Sequence, residues 1–292
     1  MLVLLPPSEG KAASGAGASL EPAGLFAADL LEPARERVLD ALVALCAEAA
    51  DAAAAGAGEA AAGAARAATA HALDVLGLSP GQTGELARNA ALRTAPALPA
   101  ADLYTGVLYD ALDLAGLAPE ARRAAEESLL VFSGLWGALR IHDRVPPYRC
   151  SMGVKGLPLG PGGKPQGLAA YWKGPLAEAL PRAAGEQGLV LDLRSSAYAA
   201  AWKPAGALAG RTATVRVLHE RVVGGETRRS VVSHFNKATK GRLLRSLLEA
   251  GARPEDPSEL VTALRDLKYT VEAEAPQRAG RPWSLDVVVS EL

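Results

Sequence analysis

The residues able to do chemistry in this chain of 292 residues lie in four short segments, at positions 6–11, 132–149, 192–204 and 233–242. Each segment combines lysine or arginine with serine, tyrosine or glycine. Backbone N–H groups in a tight turn, together with a cationic side chain, can hold an anion such as phosphate or carboxylate. The pattern therefore indicates anion binding, provided that the surrounding elements bring the segments together.

The first two segments each follow an apolar stretch that predicts a buried strand. Ser8 and Lys11 come shortly after Leu2–Leu5, and Ser133 and Gly134 come directly after a second such stretch. Ligands of α/β sheets often bind at the carboxyl ends of the strands, where glycine lets the backbone approach closely. These residues are therefore candidate anion ligands. An ordinary exposed turn is the structural alternative for the first segment.

Arg140 and Arg149 continue the second segment. A guanidinium can contact phosphate or carboxylate through two parallel hydrogen bonds, so both arginines are candidate anion ligands. An ion pair between Asp143 and either arginine is the structural alternative.

The third segment contains Ser195, Tyr198 and Lys203. Ser195 and Tyr198 are candidate anion ligands, and Lys203 is a candidate reactive lysine. A structural explanation is that Ser195 or Ser196 caps a short helix that Pro204 terminates, because serine is a common N-cap and proline cannot continue a helix.

The fourth segment opens a predicted helix with a leucine-rich face. That face consists of Leu243, Leu244, Leu247 and Leu248. At about 100° per residue, Lys237 and Lys240 fall on its N-terminal extension, whereas Arg242 points away. Two cations near the positive end of a helix dipole favour an anion between them. The alternative is that both side chains extend to water.

Other catalytic and metal signatures are absent from the sequence. It contains no H-E-x-x-H, G-x-S-x-G or Walker A pattern, and no G-x-G-x-x-G after a strand. The four histidines have no ligand-like spacing, and Cys46 and Cys150 form neither a zinc motif nor a disulfide framework. We therefore expect no metal and no cofactor.

The composition is typical of a folded protein, with 49% hydrophobic and 22% charged residues. Its 31 basic and 32 acidic side chains give a net charge of -1, so contact with nucleic acid would have to come from local clusters of cations. No apolar stretch is long enough for a membrane helix, and the N-terminal apolar run stops at Pro6. We expect a cytoplasmic protein without membrane contact.

Helix and strand patterns mix without a strict β-α-β rhythm, which predicts a single α/β (α+β) domain, residues 1–292, with helices around a mixed sheet. Glycines at 56, 58 and 63 predict a break in an alanine-rich helical region. Residues 71–92 indicate helix, turn and helix, a possible helix-hairpin-helix that contains Gly77. Further strands are expected at 189–193, 213–218, 230–234, 269–273 and 285–289.

The order and spacing of several short motifs resemble the YaaA-like peroxide-stress family. These motifs are 2–11, 102–106, 133–137, 147–149, 152–153, 191–193, 198, 203–204 and 237–241. The resemblance implies a mixed α/β fold specific to the family, a role in limiting peroxide damage, and DNA binding through a positively charged cleft with a helix-hairpin-helix. In this chain the hairpin would be 76–79, whose amides, including that of Gly77, would contact phosphate without reading the base sequence.

Three functions fit these residues, and the sequence leaves open whether the protein is an enzyme. The first is binding of duplex or branched DNA without sequence specificity, in which the hairpin amides and Lys11, Lys203, Lys237 and Lys240 neutralise phosphates. The second is an enzyme in which one desolvated lysine attacks an aldehyde or sugar carbon to form a Schiff base. Lys11, Lys203 and Lys237 are the candidates, and a damaged nucleotide as substrate would unite the two functions.

The third function is an enzyme of a phosphorylated or carboxylated metabolite. Arg140 and Arg149 would hold the anion, and Tyr104 or Tyr198 would transfer a proton. The near-neutral charge of the chain favours a small ligand over DNA. A deep pocket that joins the candidate residues would support a small substrate, and an open basic groove would support DNA.

Overall fold

The computed structural model describes residues 1–54, 58–223, 226–231 and 233–290. The strands are β1 (Leu2–Leu5), β2 (Leu98–Pro99), β3 (Leu129–Ser133), β4 (Gly137–Arg140), β5 (Arg144–Val145), β6 (Val190–Asp192), β7 (Thr212–Val223), β8 (Glu226–Ser230), β9 (Thr270–Glu274) and β10 (Trp283–Val289). The α-helices are α1 (Ala28–Ala54), α2 (Glu59–Leu76), α3 (Gly84–Ala90), α4 (Ala100–Leu103), α5 (Val107–Leu112), α6 (Pro119–Ser128), α7 (Leu168–Tyr171), α8 (Lys173–Ala184), α9 (Ser196–Ala199), α10 (Gly206–Gly210), α11 (Ser233–Glu249) and α12 (Pro257–Asp266).

Eight of the described strands form one mixed sheet, in the order β4-β3-β1-β6-β7-β10-β9, with β8 paired to the far half of β7. The five strands β3, β1, β6, β7 and β10 are parallel to one another. The strands β4, β8 and β9 are antiparallel to their partners. The expectation of a mixed α/β fold with helices around a mixed sheet is confirmed.

The apolar stretches of the sequence locate most of the strands. β1, β3 and β6 are buried along their whole lengths, as expected for parallel strands that are covered on both faces. The strands expected at 189–193, 213–218, 269–273 and 285–289 correspond to β6, β7, β9 and β10. The strand expected at 230–234 is wrong, because β8 ends at Ser230 and α11 begins at Ser233. Residue 232 lies outside the described residues.

The predicted break in the alanine-rich region falls between α1 and α2, next to Gly58. Gly63 lies inside α2 and does not interrupt it, and the expectation for residue 56 falls outside the described residues. α1 packs against α2, α3 and α8. None of the described helices has both the length and the apolar character that crossing a membrane would require.

α11 is the helix that completes the site described below. Its four face leucines are buried, as the sequence predicts, and the helix packs against α5, α6 and α12. The crossing of α11 with α5 is close at Gly241, where an added Cβ would lie 2.2 Å from the carbonyl oxygen of Leu108. Only glycine fits this position without movement of one helix.

Candidate functional site

The carboxyl ends of three neighbouring parallel strands lie at one edge of the sheet. β1 ends at Leu5, β3 at Ser133 and β6 at Asp192. β1 pairs with both β3 and β6, with Leu5 opposite Val131 and Leu4 opposite Asp192, so the three ends lie close together at this edge. The turn at 6–11 and the segment 193–198 therefore start from adjacent positions, as does the turn after β3.

A cavity of about 410 Å³ lies beside this edge. Its walls come from the turn after β1, the start of α5, the segment after β6 and one side of α11. A cavity of this size suits a small metabolite. Five residues singled out in the sequence line it: Ser8, Ser195, Tyr198, Lys237 and Lys240. The structure thus joins three of the four candidate segments.

Lys11 is half-buried just behind the cavity wall that Ser8 and its neighbours form. Its Nζ donates a hydrogen bond to the Ser8 carbonyl oxygen at 2.9 Å. The same Nζ lies 4.7 Å from the ring centre of Tyr148 and 5.6 Å from that of Tyr104. Loss of contact with water lowers the pKa of Lys11 to about 8, against the opposing charge of Glu9. Lys11 therefore has an appreciable neutral fraction near neutral pH.

Beside Lys11, three buried hydroxyl groups form a hydrogen-bonded chain. Ser133 Oγ lies 2.6 Å from Tyr148 Oη, which lies 2.8 Å from Tyr104 Oη. Ser133 Oγ also accepts hydrogen bonds from the amides of Leu135 and Trp136, at 3.2 and 2.9 Å. Burial raises the pKa of both tyrosines, so the phenols stay protonated at neutral pH.

Lys240 is the buried cation of the cavity. Its side chain is almost fully enclosed, and its Nζ donates one hydrogen bond, at 3.3 Å, to the carbonyl oxygen of Leu193. Desolvation lowers its pKa, against the opposing charge of Asp192. The Asp192 carboxylate is already occupied by Arg194, through bonds of 2.8 and 2.6 Å. Lys240 therefore has N–H groups without an acceptor among the described residues.

The two lysines of α11 differ in exposure. Lys240 lies on the core-facing side, as the helical periodicity predicts, whereas Lys237 lines the cavity but remains exposed. α11 begins at Ser233, so both lysines come after the first helical turn. The helix dipole acts mainly within that first turn, so it contributes less to anion binding than the sequence suggested.

Neither candidate arginine lines the cavity, although Arg149 is bonded to Glu9, a residue of the cavity wall. The Arg149 guanidinium contacts both the carboxylate and the carbonyl oxygen of Glu9, at 2.6 and 3.0 Å. The Arg140 guanidinium donates to the carbonyl oxygen of Glu127 at 2.6 Å and lies over the ring of Phe26. Asp143 accepts a hydrogen bond from the backbone N–H of Arg140, and it forms an ion pair with neither arginine side chain among the described residues.

Two further candidates, Lys203 and Gly134, also lie outside the cavity lining. Lys203 is exposed in a separate depression next to Trp202. The carbonyl oxygen of Gly134 accepts a hydrogen bond of 2.8 Å from the Trp172 indole, and an added Cβ would lie 2.6 Å from the carbonyl oxygen of Cys150. Gly134 therefore serves loop packing.

The turn between α2 and α3 has no free amides at the predicted positions. The N–H groups of Gly77 and Leu78 donate to carbonyl oxygens in the last turn of α2, at 3.1 and 2.8 Å. The N–H of Ser79 donates to the Gln82 side chain at 3.0 Å. A phosphate could use these amides only by displacing their present acceptors. The structure does not confirm the helix-hairpin-helix as a phosphate-binding element.

Tyr148 is the site residue that sequence reasoning missed. It stands between Pro147 and Arg149 in one of the motifs that carry the family resemblance, and the arginine drew the functional interpretation. The motif was the one feature of the sequence that could have pointed to Tyr148. The hydrogen bonds of Tyr148 are made with Ser133 and Tyr104, which lie elsewhere in the sequence.

Comparison with known proteins identifies the family. The family described as peroxide stress protein YaaA matches residues 1–275. The chain belongs to this YaaA family. A UPF0246 protein of Streptomyces coelicolor is 59% identical over 292 residues, which cover 100% of both chains. A UPF0246 protein of Corynebacterium efficiens is 38% identical over 289 residues, 99% of this chain and 100% of the relative.

Membership of the YaaA family draws attention to the two cysteines. Peroxide reacts with exposed thiolates. Cys46 and Cys150 are both buried, and burial raises their pKa values to about 11 and about 12. Neither thiol is arranged for direct reaction with peroxide. In the part of the chain that the structure describes, no group of three His, Cys, Asp or Glu side chains could hold a metal ion.

Proposed function

We propose that this YaaA-family protein binds a small anionic carbonyl compound at the carboxyl edge of the sheet and that Lys11 forms a Schiff base with it. One observation carries the proposal. A desolvated amine, Lys11, is hydrogen-bonded to the carbonyl oxygen of Ser8 in the wall of a partly open cavity that is lined by the buried cation Lys240.

The anion would be held by the two lysines of α11. An ammonium has three N–H donors, and Lys240 uses one of them on Leu193. Two donors therefore remain for oxygen atoms of a phosphate or carboxylate. Lys237 forms no ion pair with a described residue and supplies a second charge at the rim. Charge-assisted hydrogen bonds of this kind are strong, because little water competes in a buried site.

Another large cavity is less suited to an anion. It measures about 510 Å³ and lies between α6 and the end of α11. Its lining includes Glu120, Glu127 and Glu249. Carboxylates in the wall repel a phosphate or carboxylate ligand. The cavity next to Lys11 has one acidic residue in its wall, Glu9, which is paired with Arg149, and two lysines, so it is the better candidate of the two.

Lys11 has the properties that Schiff-base formation requires. With a pKa of about 8, roughly a tenth of its side chains are neutral at pH 7, whereas an ordinary lysine is almost fully protonated. The neutral amine forms a C–N bond with the carbonyl carbon, and the carbonyl oxygen leaves as water after it has taken up both protons of the amine. The products are an imine and one water molecule.

The proposal is consistent with the family's connection to peroxide. Oxidative cleavage of sugars and nucleotides produces aldehydes, many of which carry a phosphate group. A protein with a cation-lined cavity and a reactive lysine could capture such a compound, whether free or at the end of a damaged DNA strand. Capture of the free compound is the first form to test.

The test uses pyridoxal 5′-phosphate, which is both an aldehyde and an anion, followed by reduction with borohydride. We expect one main labelled peptide, containing Lys11, and competition by inorganic phosphate. Lys11→Arg should remove this label because a guanidinium does not form an imine, and Lys203→Arg should leave it unchanged. Equal labelling of many exposed lysines, or unchanged labelling in the Lys11 variant, would refute the proposal.

DNA binding is the second candidate, and the exposed position of Lys237 at the cavity rim favours it. In this form of the proposal, Lys237 and Lys240 contact phosphates of a strand end or backbone without reading sequence. Fluorescence anisotropy over a salt series tests it. A steep dependence on salt that becomes shallower in Lys237→Ala/Lys240→Ala, but not in Lys203→Ala, would support phosphate contacts. Absence of binding at low salt would exclude DNA as the ligand.

A further inference from the structure

The turn that carries Lys11 also carries a carboxylate. Glu9 lies two residues before Lys11 and lines the cavity. A carboxylate within about 4 to 6 Å of an ammonium favours its charged form, so a free Glu9 side chain could hold Lys11 protonated. In the structure the Lys11 amine instead donates to the carbonyl oxygen of Ser8, and the Glu9 carboxylate is paired with Arg149. The two charges of the turn therefore have different partners.

Arg149 holds Glu9 at two points. One guanidinium nitrogen lies 2.6 Å from a Glu9 carboxylate oxygen, and another donates to the Glu9 carbonyl oxygen at 3.0 Å. Contact with both the side chain and the backbone of one residue fixes the direction in which its carboxylate points. An exposed ion pair contributes little to stability, so the main effect of this contact is on the position of the carboxylate.

Arg149 is itself anchored to the core by Asn89 of α3. The fully buried amide of Asn89 donates to the carbonyl oxygen of Arg149 at 2.8 Å and accepts from its backbone N–H at 2.9 Å. A shift of the Arg149 backbone would leave both ends of a buried amide without partners, which is costly in a protein interior. The guanidinium that binds Glu9 therefore extends from a fixed point.

Two further titratable groups act on the charge of Lys11, Glu85 and Cys150. Glu85 is paired with Arg88. Burial raises the pKa of Cys150 to about 12, so this thiol is neutral. The two phenols whose rings lie under the amine are neutral as well. Among the charges around Lys11, that of Glu9 acts most strongly on its pKa, so the position of this carboxylate matters most.

We propose that Arg149 is a positioning residue for Lys11, which binds the Glu9 carboxylate and holds it away from the amine. This inference rests on the proposed function, in which Lys11 is the reactive group. Without Arg149, the carboxylate is free to turn towards the ammonium of the same turn. The amine would then keep its proton at neutral pH and lose its reactivity towards a carbonyl carbon.

The first variant to test is Arg149→Gln, which keeps the backbone bonds to Asn89 and removes the charge that binds Glu9. Labelling with acetic anhydride follows the neutral amine, and we expect the pH midpoint of Lys11 to rise by about one unit. Imine formation with pyridoxal 5′-phosphate at pH 7 should slow roughly tenfold and recover at higher pH, because the neutral fraction falls tenfold per unit. Affinity for inorganic phosphate should not change, because Arg149 does not line the cavity.

A double-mutant cycle separates the position of Glu9 from the charge of Arg149. In a Glu9→Gln background there is no carboxylate to release, so Arg149→Gln should raise the midpoint only by the smaller direct effect of the arginine's own charge. Glu9→Gln by itself should change the midpoint far less than Arg149→Gln does, because the carboxylate is already held away. Arg182→Gln is the matched control, since Arg182 forms an exposed ion pair with Asp29 and should leave Lys11 unchanged.

The outcomes separate this inference from the proposed function. Equal rises of the midpoint in the two backgrounds, or no rise in Arg149→Gln, would refute the positioning role, and the proposed function would stand if pyridoxal 5′-phosphate still labels Lys11. A large fall of the midpoint in Glu9→Gln would also refute it, and this variant changes only an exposed side chain. If the midpoint depends on Arg149 through Glu9 but the wild type forms no imine, the positioning of Glu9 is supported and the proposed function fails.

Discussion

Two regions of this protein have sequences that predict phosphate contact, and they differ in what their donors do. At the turn between α2 and α3, the amides of Gly77, Leu78 and Ser79 are all bonded within the turn itself. At the cavity beside the sheet edge, Lys240 is buried and donates a single hydrogen bond, to the carbonyl oxygen of Leu193.

The difference teaches that residue type alone does not make an anion site. Glycine and serine in a turn bond readily to their own helix ends, which satisfies the donors locally. The cavity is formed by segments distant in sequence, so its lysines have no local partners that could satisfy them. A site for an external ligand requires donors that the fold leaves unused.

The largest expected effect is on stability, and it compares a glycine at a contact between two helices with a glycine in an open position of a single helix. Gly241→Ala places a methyl group against Leu108, so we expect a loss of about 3 kcal/mol in the free energy of unfolding. Gly63→Ala is the matched control, because an added Cβ there meets no atom within 4 Å, and alanine favours the helix by about 1 kcal/mol. Urea unfolding of both variants measures the difference. Equal stabilities would show that α11 and α5 can move apart to accommodate the added methyl group at little cost in free energy.

The next effect compares two lysines. Lys240→Met keeps the length of the side chain but removes the charge, and should weaken binding of inorganic phosphate by about 2 kcal/mol, roughly 30-fold. Lys203→Met removes an exposed lysine outside the cavity and should leave phosphate affinity unchanged. The shift of the unfolding temperature with phosphate concentration reports both affinities. Equal weakening in the two variants would mean that phosphate binds through general surface charge.

The pH dependence of Lys11 tests its desolvation. Only the neutral amine reacts with acetic anhydride, so labelling of Lys11 should rise with pH and reach half of its maximum at about 8, well below the 10.5 of an ordinary lysine. The folded state holds this proton more weakly than the unfolded chain does, so the contribution of Lys11 to stability increases as pH rises from about 8 to 10.5. Mass spectrometry of labelled peptides gives the midpoint. A midpoint near that of an ordinary lysine would contradict the desolvated amine.

The smallest effect concerns the α2–α3 turn. Gly77 has a φ of 64°, a left-handed conformation that alanine adopts at a cost of about 1 kcal/mol. Gly77→Ala should lower stability by about that amount without changing phosphate or DNA affinity. Weaker DNA binding at equal stability would assign a ligand role to this turn after all.

The sequence determined where most strands and helices lie, but it determined their first and last residues less well. Apolar stretches located β1, β3 and β6, and helical periodicity located the buried leucine face of α11. Both patterns reflect burial, because positions that face the core carry apolar residues at the spacing of a strand or of a helix. The misplaced strand at 230–234 shows the limit, since β8 is exposed along its length and has no apolar pattern to mark it.

The sequence also determined which residues could bind an anion, and the family motifs were enough to indicate the YaaA family. Only the tertiary structure decided which of them work together. It placed Ser8, Lys237 and Lys240 at one cavity, and it paired Arg149 with Glu9, 140 residues away in the sequence. Partners at such separations follow from strand order and helix crossing, which local residue patterns do not encode. The anion site is therefore a property of the folded sheet edge, while its chemical groups are a property of the sequence.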